Sequence, residues 1–163
     1  MASLELVKRV TDTSVTSLDV TDVFTSSYKK YLIVLQGDIT SSNSTIDMRL
    51  LDSGGSAISS NYRYGVRSQQ NTSQSEQQST SDTKFERIVY TNNTNSFGGR
   101  MFVYNPYESV YTFMSFRSFG VTSTNVNYSA GGGSLDNAAS HSGFTIFDAT
   151  FSTIEVDVYG IKE

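Results

Sequence analysis

The stretch GFTIFDATFSTIEVDVYGIKE, residues 143–163, closes the chain, and its pattern decides the fold. Ile154, Val156 and Val158 alternate strictly with Glu155, Asp157 and Tyr159. A period of two belongs to a half-buried β-strand. Chain ends fray unless something ties them down, so a terminus this regular has to be paired along its length and held by its apolar face. In a sheet of antiparallel strands, the expected neighbour of this last strand is the first.

The same period recurs through the rest of the chain. SLELVKRV (3–10) sets Leu4, Leu6 and Val10 against Glu5 and Arg9, and SVTSLDV (14–20) puts Val15 out of step with Leu18 and Val20. Two short strands are predicted there, the second one kinked. A turn around Phe24 leads into the apolar run Tyr31–Leu35, which reads as a central strand covered on both faces. STIDMRLLD directs Ile46, Met48 and Leu50 one way and Asp47 and Arg49 the other, and SGGS (53–56) closes that strand. Tyr62, Tyr64 and Val66 share a face of a further strand. KFERIVY, GGRMFVYNPY and VYTFMSFRSFGV follow, with Pro106 outside the strands, where its missing donor does no harm.

Two segments interrupt the pattern. Residues 68–83 (SQQNTSQSEQQSTSDT) contain no apolar side chain and read as a solvated polar loop, or as an arm that orders against a neighbouring subunit. Residues 129–142 carry three successive glycines, Gly131, Gly132 and Gly133, and read as a flexible Gly-rich loop. No segment has a helical period of useful length. The expectation is therefore an all-β fold: one domain over 1–163, an antiparallel, jelly-roll-like β-sandwich of eight to ten short strands with long polar loops. A Greek-key barrel is the near neighbour.

Composition narrows the function. Twelve basic against sixteen acidic residues give a net charge of −4, which argues against a nucleic-acid partner, because no basic excess is present to displace counterions. Without cysteine there is no disulfide frame and no thiolate metal site. No run of signal-peptide or membrane-spanning length occurs, so a soluble chain made in the cytoplasm, with no membrane insertion, is expected. The single histidine, His141, reads as a solvated loop residue, and no GxSxG elbow accompanies it. Glu86, Glu108, Asp136, Asp148, Glu155 and Asp157 are the carboxylates from which a glycosidase pair would come, and they read instead as solubilising edge and turn residues. The expectation is no enzyme, no cofactor, no metal and no catalytic residue. Sequons at Asn43, Asn71, Asn92 and Asn127 follow from the abundance of Asn, Ser and Thr. Tyr62, Tyr64, Tyr104, Tyr107 and Tyr111, with Arg63 and Arg100 nearby, are the candidate contacts for a glycan or a protein partner, against the commoner use of aromatics in packing.

Several stretches together resemble a loose group of small structural proteins of tailed bacteriophages, especially marine and cyanobacterial ones. The shared features are an F-x-x-x-Y-x-x-Y lead-in to an early strand, a G-x-x-x-x-Y-N-P strand and turn, and an ending near YGIK. Here they are Phe24, Tyr28 and Tyr31; Gly99, Tyr104, Asn105 and Pro106; and Tyr159, Gly160, Ile161 and Lys162. The resemblance covers about four-fifths of the chain and leaves out residues 68–83 and the Gly-rich stretch. It implies a β-sandwich component of the virion: a knob-like capsid decoration subunit, or alternatively a carbohydrate-recognition (receptor-binding) module of a tail or fibre. The partners it implies are further copies of the chain, a trimer by analogy, other virion proteins such as the major capsid protein, and a host surface glycan.

Overall fold

The computed structural model describes residues 3–40, 45–70, 72–90, 95–121 and 126–162. The strands are β1 (Ser3–Val20), β2 (Lys30–Ile39), β3 (Thr45–Asp52), β4 (Tyr62–Gln70), β5 (Ser73–Asp82), β6 (Phe85–Tyr90), β7 (Asn95–Tyr104), β8 (Thr112–Val121), β9 (Val126–Leu135) and β10 (His141–Lys162). Every pairing is antiparallel. No helix occurs among the described residues.

The C-terminal strand organises the rest. One edge of β10 carries β1 along nearly its whole length, from Ser3 opposite Lys162 to Val20 opposite Phe144. The other edge is shared: Phe151–Gly160 pairs with β2, and His141–Phe147 pairs with β3. Between the two partners lies Asp148, whose φ of 74° is the left-handed conformation that turns the strand. From this corner two layers diverge. One continues from β2 through β7, β8, β9 and β4 to β5, and the other continues from β3 to β6. β6 lies across β8, β9 and β4, and the Ser118 hydroxyl donates to the Ile88 carbonyl at 2.6 Å between the layers. The architecture is thus an all-β sandwich.

Between the layers sit Phe144, Ile146, Phe151, Ile154, Val156 and Val158 of β10, with Tyr31, Ile33 and Leu35 of β2, Ile46, Met48 and Leu50 of β3, and Met114 and Phe116 of β8. These are the positions that the alternation selects. The three resemblance motifs lie together around Tyr28, Asn105 and Gly160, at the ends of β10. Tyr28 packs edge-on against Tyr31 at 5.7 Å and covers Gly160, where an added Cβ would lie 2.5 Å from its ring. The Asn105 amide donates to the Lys29 carbonyl at 2.7 Å, and the Pro106 carbonyl accepts from the His141 amide at 2.8 Å.

Five sequence expectations need correction. The N-terminal segment is one strand of 18 residues, its phase break absorbed by a register shift between Val15 and Ser17 and by Ser14 at a φ of 58°. The run Tyr31–Leu35 is buried on one face only, with Val34 exposed on the other. Most of residues 68–83 is ordered as the end of β4 and all of β5. A hairpin needs backbone ladder bonds rather than apolar side chains, and inward side chains of β5 reach polar groups of β6: Gln77 donates to Glu86, and Ser75 accepts from Arg87 at 3.1 Å. Residues 129–135 are the second half of β9, not a loop. Their glycines are required because β4 and β8 crowd that backbone: a Cβ at Gly133 would sit 2.0 Å from the Arg63 carbonyl oxygen, and one at Gly131 2.5 Å from the Gly65 carbonyl oxygen. His141, finally, is buried at the start of β10.

Gly65, on neighbouring β4, has open space where a Cβ would stand. Gly133→Ala should therefore lower the unfolding free energy by roughly 2 kcal/mol or more, because backbone cannot move aside, whereas Gly65→Ala should change it by less than about 0.5 kcal/mol. Urea denaturation of the two variants checks the contrast.

Candidate functional site

The larger layer turns one face to the core and the other outward. Its register aligns the outward residues in rows that run across the strands. One row reads Leu32, Phe102, Ser115, Gly132, Gly65 and Gln78, from β2 to β5. Its middle, Ser115–Gly132–Gly65, carries nothing larger than a hydroxymethyl group and forms the floor of an open groove. One wall is the row Tyr104, Phe113, Ser134 and Arg63; the other is Arg100, Arg117, Ala130 and Arg67. Arg63 and Arg67 are four positions apart along β4, which sets the walls about 13 Å apart at the strand rise. The hollow between Arg63, Phe113, Gly132 and Gln78 measures about 750 Å³ and adjoins two smaller ones, over Ala130 and between Arg100 and Arg117.

The arginines along this face are treated unequally. Arg9 makes a two-pronged pair with Asp157, both contacts 2.6 Å, and this holds the Asp157 carboxyl below its ordinary range. Arg63 Nε lies 2.6 Å from Asp136, which also accepts from the Ser134 hydroxyl at 2.7 Å. Arg67 donates to Gln74 and approaches Glu76 at 4.0 Å. Arg100 and Arg117 stand directly opposite each other on β7 and β8. Neither has a hydrogen-bonding or charged partner among the described residues. Like charges placed opposite across two strands cost about 0.2–1 kcal/mol.

Farther along β8 and β9 the face becomes apolar. Phe119, Val121, Val126 and Tyr128 are 55%, 42%, 61% and 42% exposed, and they are cross-strand partners, Phe119 with Tyr128 and Val121 with Val126. Gly98 lets the Phe119 ring lie over β7, since a Cβ there would be 3.1 Å from it.

Of the residues singled out in the sequence, Tyr62 and Tyr64 are not surface contacts. Both point inward: Tyr62 packs edge-on against Phe85 at 4.8 Å, accepts from the Leu50 amide and donates to the Ile58 carbonyl, while Tyr64 donates to Asp82. Tyr104 faces outward, its ring stacked on that of Phe102. Arg63 and Arg100 belong to opposite walls of the groove, whereas exposed Tyr107 and Tyr111 sit in the β7–β8 connection away from its lining. Arg117, Phe102, Phe113 and the Gly65–Gly132 floor escape a reading of the sequence. The alternation puts Phe113 and Arg117 on one face of β8, but only the pairing register shows what they meet. Asn127 is buried; Asn43, Asn71 and Asn92 lie outside the described residues.

Of the carboxylates weighed for catalysis, Glu86, Asp136, Asp148, Glu155 and Asp157 each contact another side chain. Glu155 accepts from Gln36 at 3.0 Å. Glu86 and Asp148 flank Lys84 at 3.8 and 3.4 Å, and Lys84 Nζ sits 2.5 Å from the buried Asp47. Burial pushes the Asp47 carboxyl up to about 6, against the opposing pull of Lys84 and the Arg87 amide. His141 has neither ring nitrogen hydrogen-bonded among the described residues, and burial pushes it down to about 4. A neutral core imidazole, rather than a solvated one, occupies that position.

The sequence matches no family model and no curated protein. Among solved structures it is similar to a plant- and prokaryote-conserved (PPC) protein from Pyrococcus horikoshii, at 6% identity over 99% of this chain and 83% of that one, TM-score 0.36. It is similar also to the PL-14 alginate lyase of Aplysia kurodai, at 8% identity over 86% and 72%, TM-score 0.38. A third likeness is to galectin LEC-6 of Caenorhabditis elegans, at 9% identity over 94% and 96%, TM-score 0.36. At such identities and TM-scores none of the three bears on what this chain does.

The buried histidine makes a signed prediction. Between pH 6.5 and about 4 the unfolded chain binds a proton at His141 that the folded chain does not, so acidification removes about 3 kcal/mol of stability through this group. Asp47 runs the other way: its folded carboxyl takes up a proton first, so it adds stability as pH falls from about 6. The two oppose each other in the wild type, and a variant separates them. Relative to the wild type, His141→Gln should gain about 3 kcal/mol between pH 7 and pH 4 by chemical denaturation; a constant difference refutes the assignment.

Proposed function

We propose that this chain is a non-enzymatic structural subunit of a tailed-phage virion, decorating the capsid as a knob and associating with further copies of itself and with shell proteins. The observation that carries the reading is the exposed apolar cluster of Phe119, Val121, Val126 and Tyr128 at one end of the outer face. Contiguous exposed apolar side chains on a folded chain mark a surface that another protein covers, and aromatics are enriched in such contacts. The resemblance to phage structural proteins supports the virion assignment; its three motifs, far apart in sequence, pack together around Tyr28, Asn105 and Gly160. Under this reading the chain resides in the virion after synthesis in the host cytoplasm. The outer edge of β5 is one free sheet edge among the described residues to which a neighbour could add a strand.

A second reading, recognition of a host surface glycan, is favoured by one observation. The groove has a floor of Ser115, Gly132 and Gly65 between aromatic and arginine walls, which suits a flat ring lying against a phenyl face.

Antibody labelling of purified particles should mark the head; label confined to the tail removes the decoration reading. Sedimentation of the isolated protein should show an oligomer that Phe119→Ser with Val126→Ser shifts toward monomer. An oligomer unaffected by both changes would exclude this cluster as the contact between copies.

A further inference from the structure

The geometry points to Arg100 and Arg117 as the subsite for a carboxylate or sulfate carried by an acidic polysaccharide lying in the groove. This rests on the glycan reading of that groove and specifies the class of its ligand.

Three observations converge. The first is an uncompensated charge. On a chain with a net charge of −4, the outward arginines Arg9, Arg63 and Arg67 are each met by an acidic or amide side chain, while the central two, directly opposite each other, are not. Repulsion between them is relieved by an anion that bridges both guanidinium groups. The planar fork of arginine binds carboxylate and sulfate oxygens in pairs. The second is the surroundings of the pair. The hollow between Arg100 and Arg117 is bounded by Phe102, Ser115 and Ala130, so an anion held there places its attached ring beside the exposed part of Phe102 and over a floor of small residues. The third is continuity. That hollow opens through Ala130 and Gly65 into the one lined by Arg63, Phe113, Ser134 and Gln78, so a chain of several sugar units, rather than a lone ion, fits the length of the groove. Gln78 and Ser134 offer hydrogen bonds to hydroxyl groups along the way.

The test uses the full chain and three polymers: a polyuronate, dextran sulfate and uncharged dextran, with single-stranded DNA as a further polyanion. Isothermal titration at low salt should show binding of the polyuronate or the sulfated polymer, weakened by added salt. Arg100→Ala with Arg117→Ala should weaken that binding by tenfold or more, while Lys8→Ala with Lys162→Ala, which removes the same charge elsewhere, should leave it within about twofold. Gly65→Ala, with open space for its methyl, should weaken binding without lowering the thermal midpoint. The double arginine variant should melt no lower than the wild type, since it loses a like-charge contact, so lost binding will not reflect lost folding. Dextran binding as tightly as the acidic polymers overturns the acidic class and leaves the glycan reading standing. No saccharide binding at all overturns both. Equal binding by the wild type and the double arginine variant overturns the subsite, and tighter binding of DNA than of either acidic polysaccharide overturns the ligand class in favour of a nucleic acid.

Discussion

The paired edges of β10 are the constraint on which the other elements depend. A strand has two edges, and this one uses both along most of its length: β1 on one side, β2 and then β3 on the other. Because β2 and β3 take different halves of the same edge, the bend at Asp148 separates two layers that nevertheless share one continuous strand. Buried Phe144, Ile146, Phe151 and Ile154 lie on both sides of the bend, so the core is fixed to the same element that sets the layers. A slip of one residue in this ladder would turn Ile154, Val156 and Val158 to solvent and Glu155 and Asp157 into the core, which is why its register is so strongly specified. Gly143 and Gly160 are part of the same constraint, since a Cβ at either would strike the Val20 carbonyl or the Tyr28 ring.

From that frame the outer face inherits its pattern. Each strand contributes alternate residues, and the antiparallel register lines them up across five or six strands. Rows of similar chemistry therefore arise between residues that are far apart in sequence: Arg67, Arg100 and Arg117 on one wall, Tyr104 and Phe113 on the other, glycines between them. The glycines of β9 serve two ends at once. Gly131 and Gly133 let neighbouring backbones approach, and Gly132 leaves the groove floor bare. The polar groups that are buried follow a different logic. Asp47 is covered because it lies opposite Phe147 at the β10 bend, where Lys84 folds over it, and His141 because its strand begins beneath the Pro106 turn.

Much of this fold was legible in residues alone, and for a physical reason. A strand with one buried face must alternate, so Ile154, Val156 and Val158, or Tyr62, Tyr64 and Val66, announce both the strand and its inner face. That rule fails where backbone hydrogen bonds hold a strand without apolar side chains, as in β5, or where crowding demands glycine, as in β9; both read as loops. It fails also for a residue whose environment comes from elsewhere in the chain, as with His141. In the candidate site, Arg63, Arg100 and Tyr104 were visible as surface candidates, but Tyr62 and Tyr64, offered as contacts although they share a face with Val66, are buried, and Arg117 was passed over.

What the amino-acid sequence determined by itself is the all-β class and the identity of most core residues, because each follows from a local period of two. What only the tertiary structure decided is which outward residues become neighbours: that Arg100 faces Arg117, that Gly65 meets Gly132, that Phe119 and Tyr128 join in one apolar surface. Those contacts depend on strand order and register, which are set by long-range ladder bonds and packing and leave no local trace along the chain.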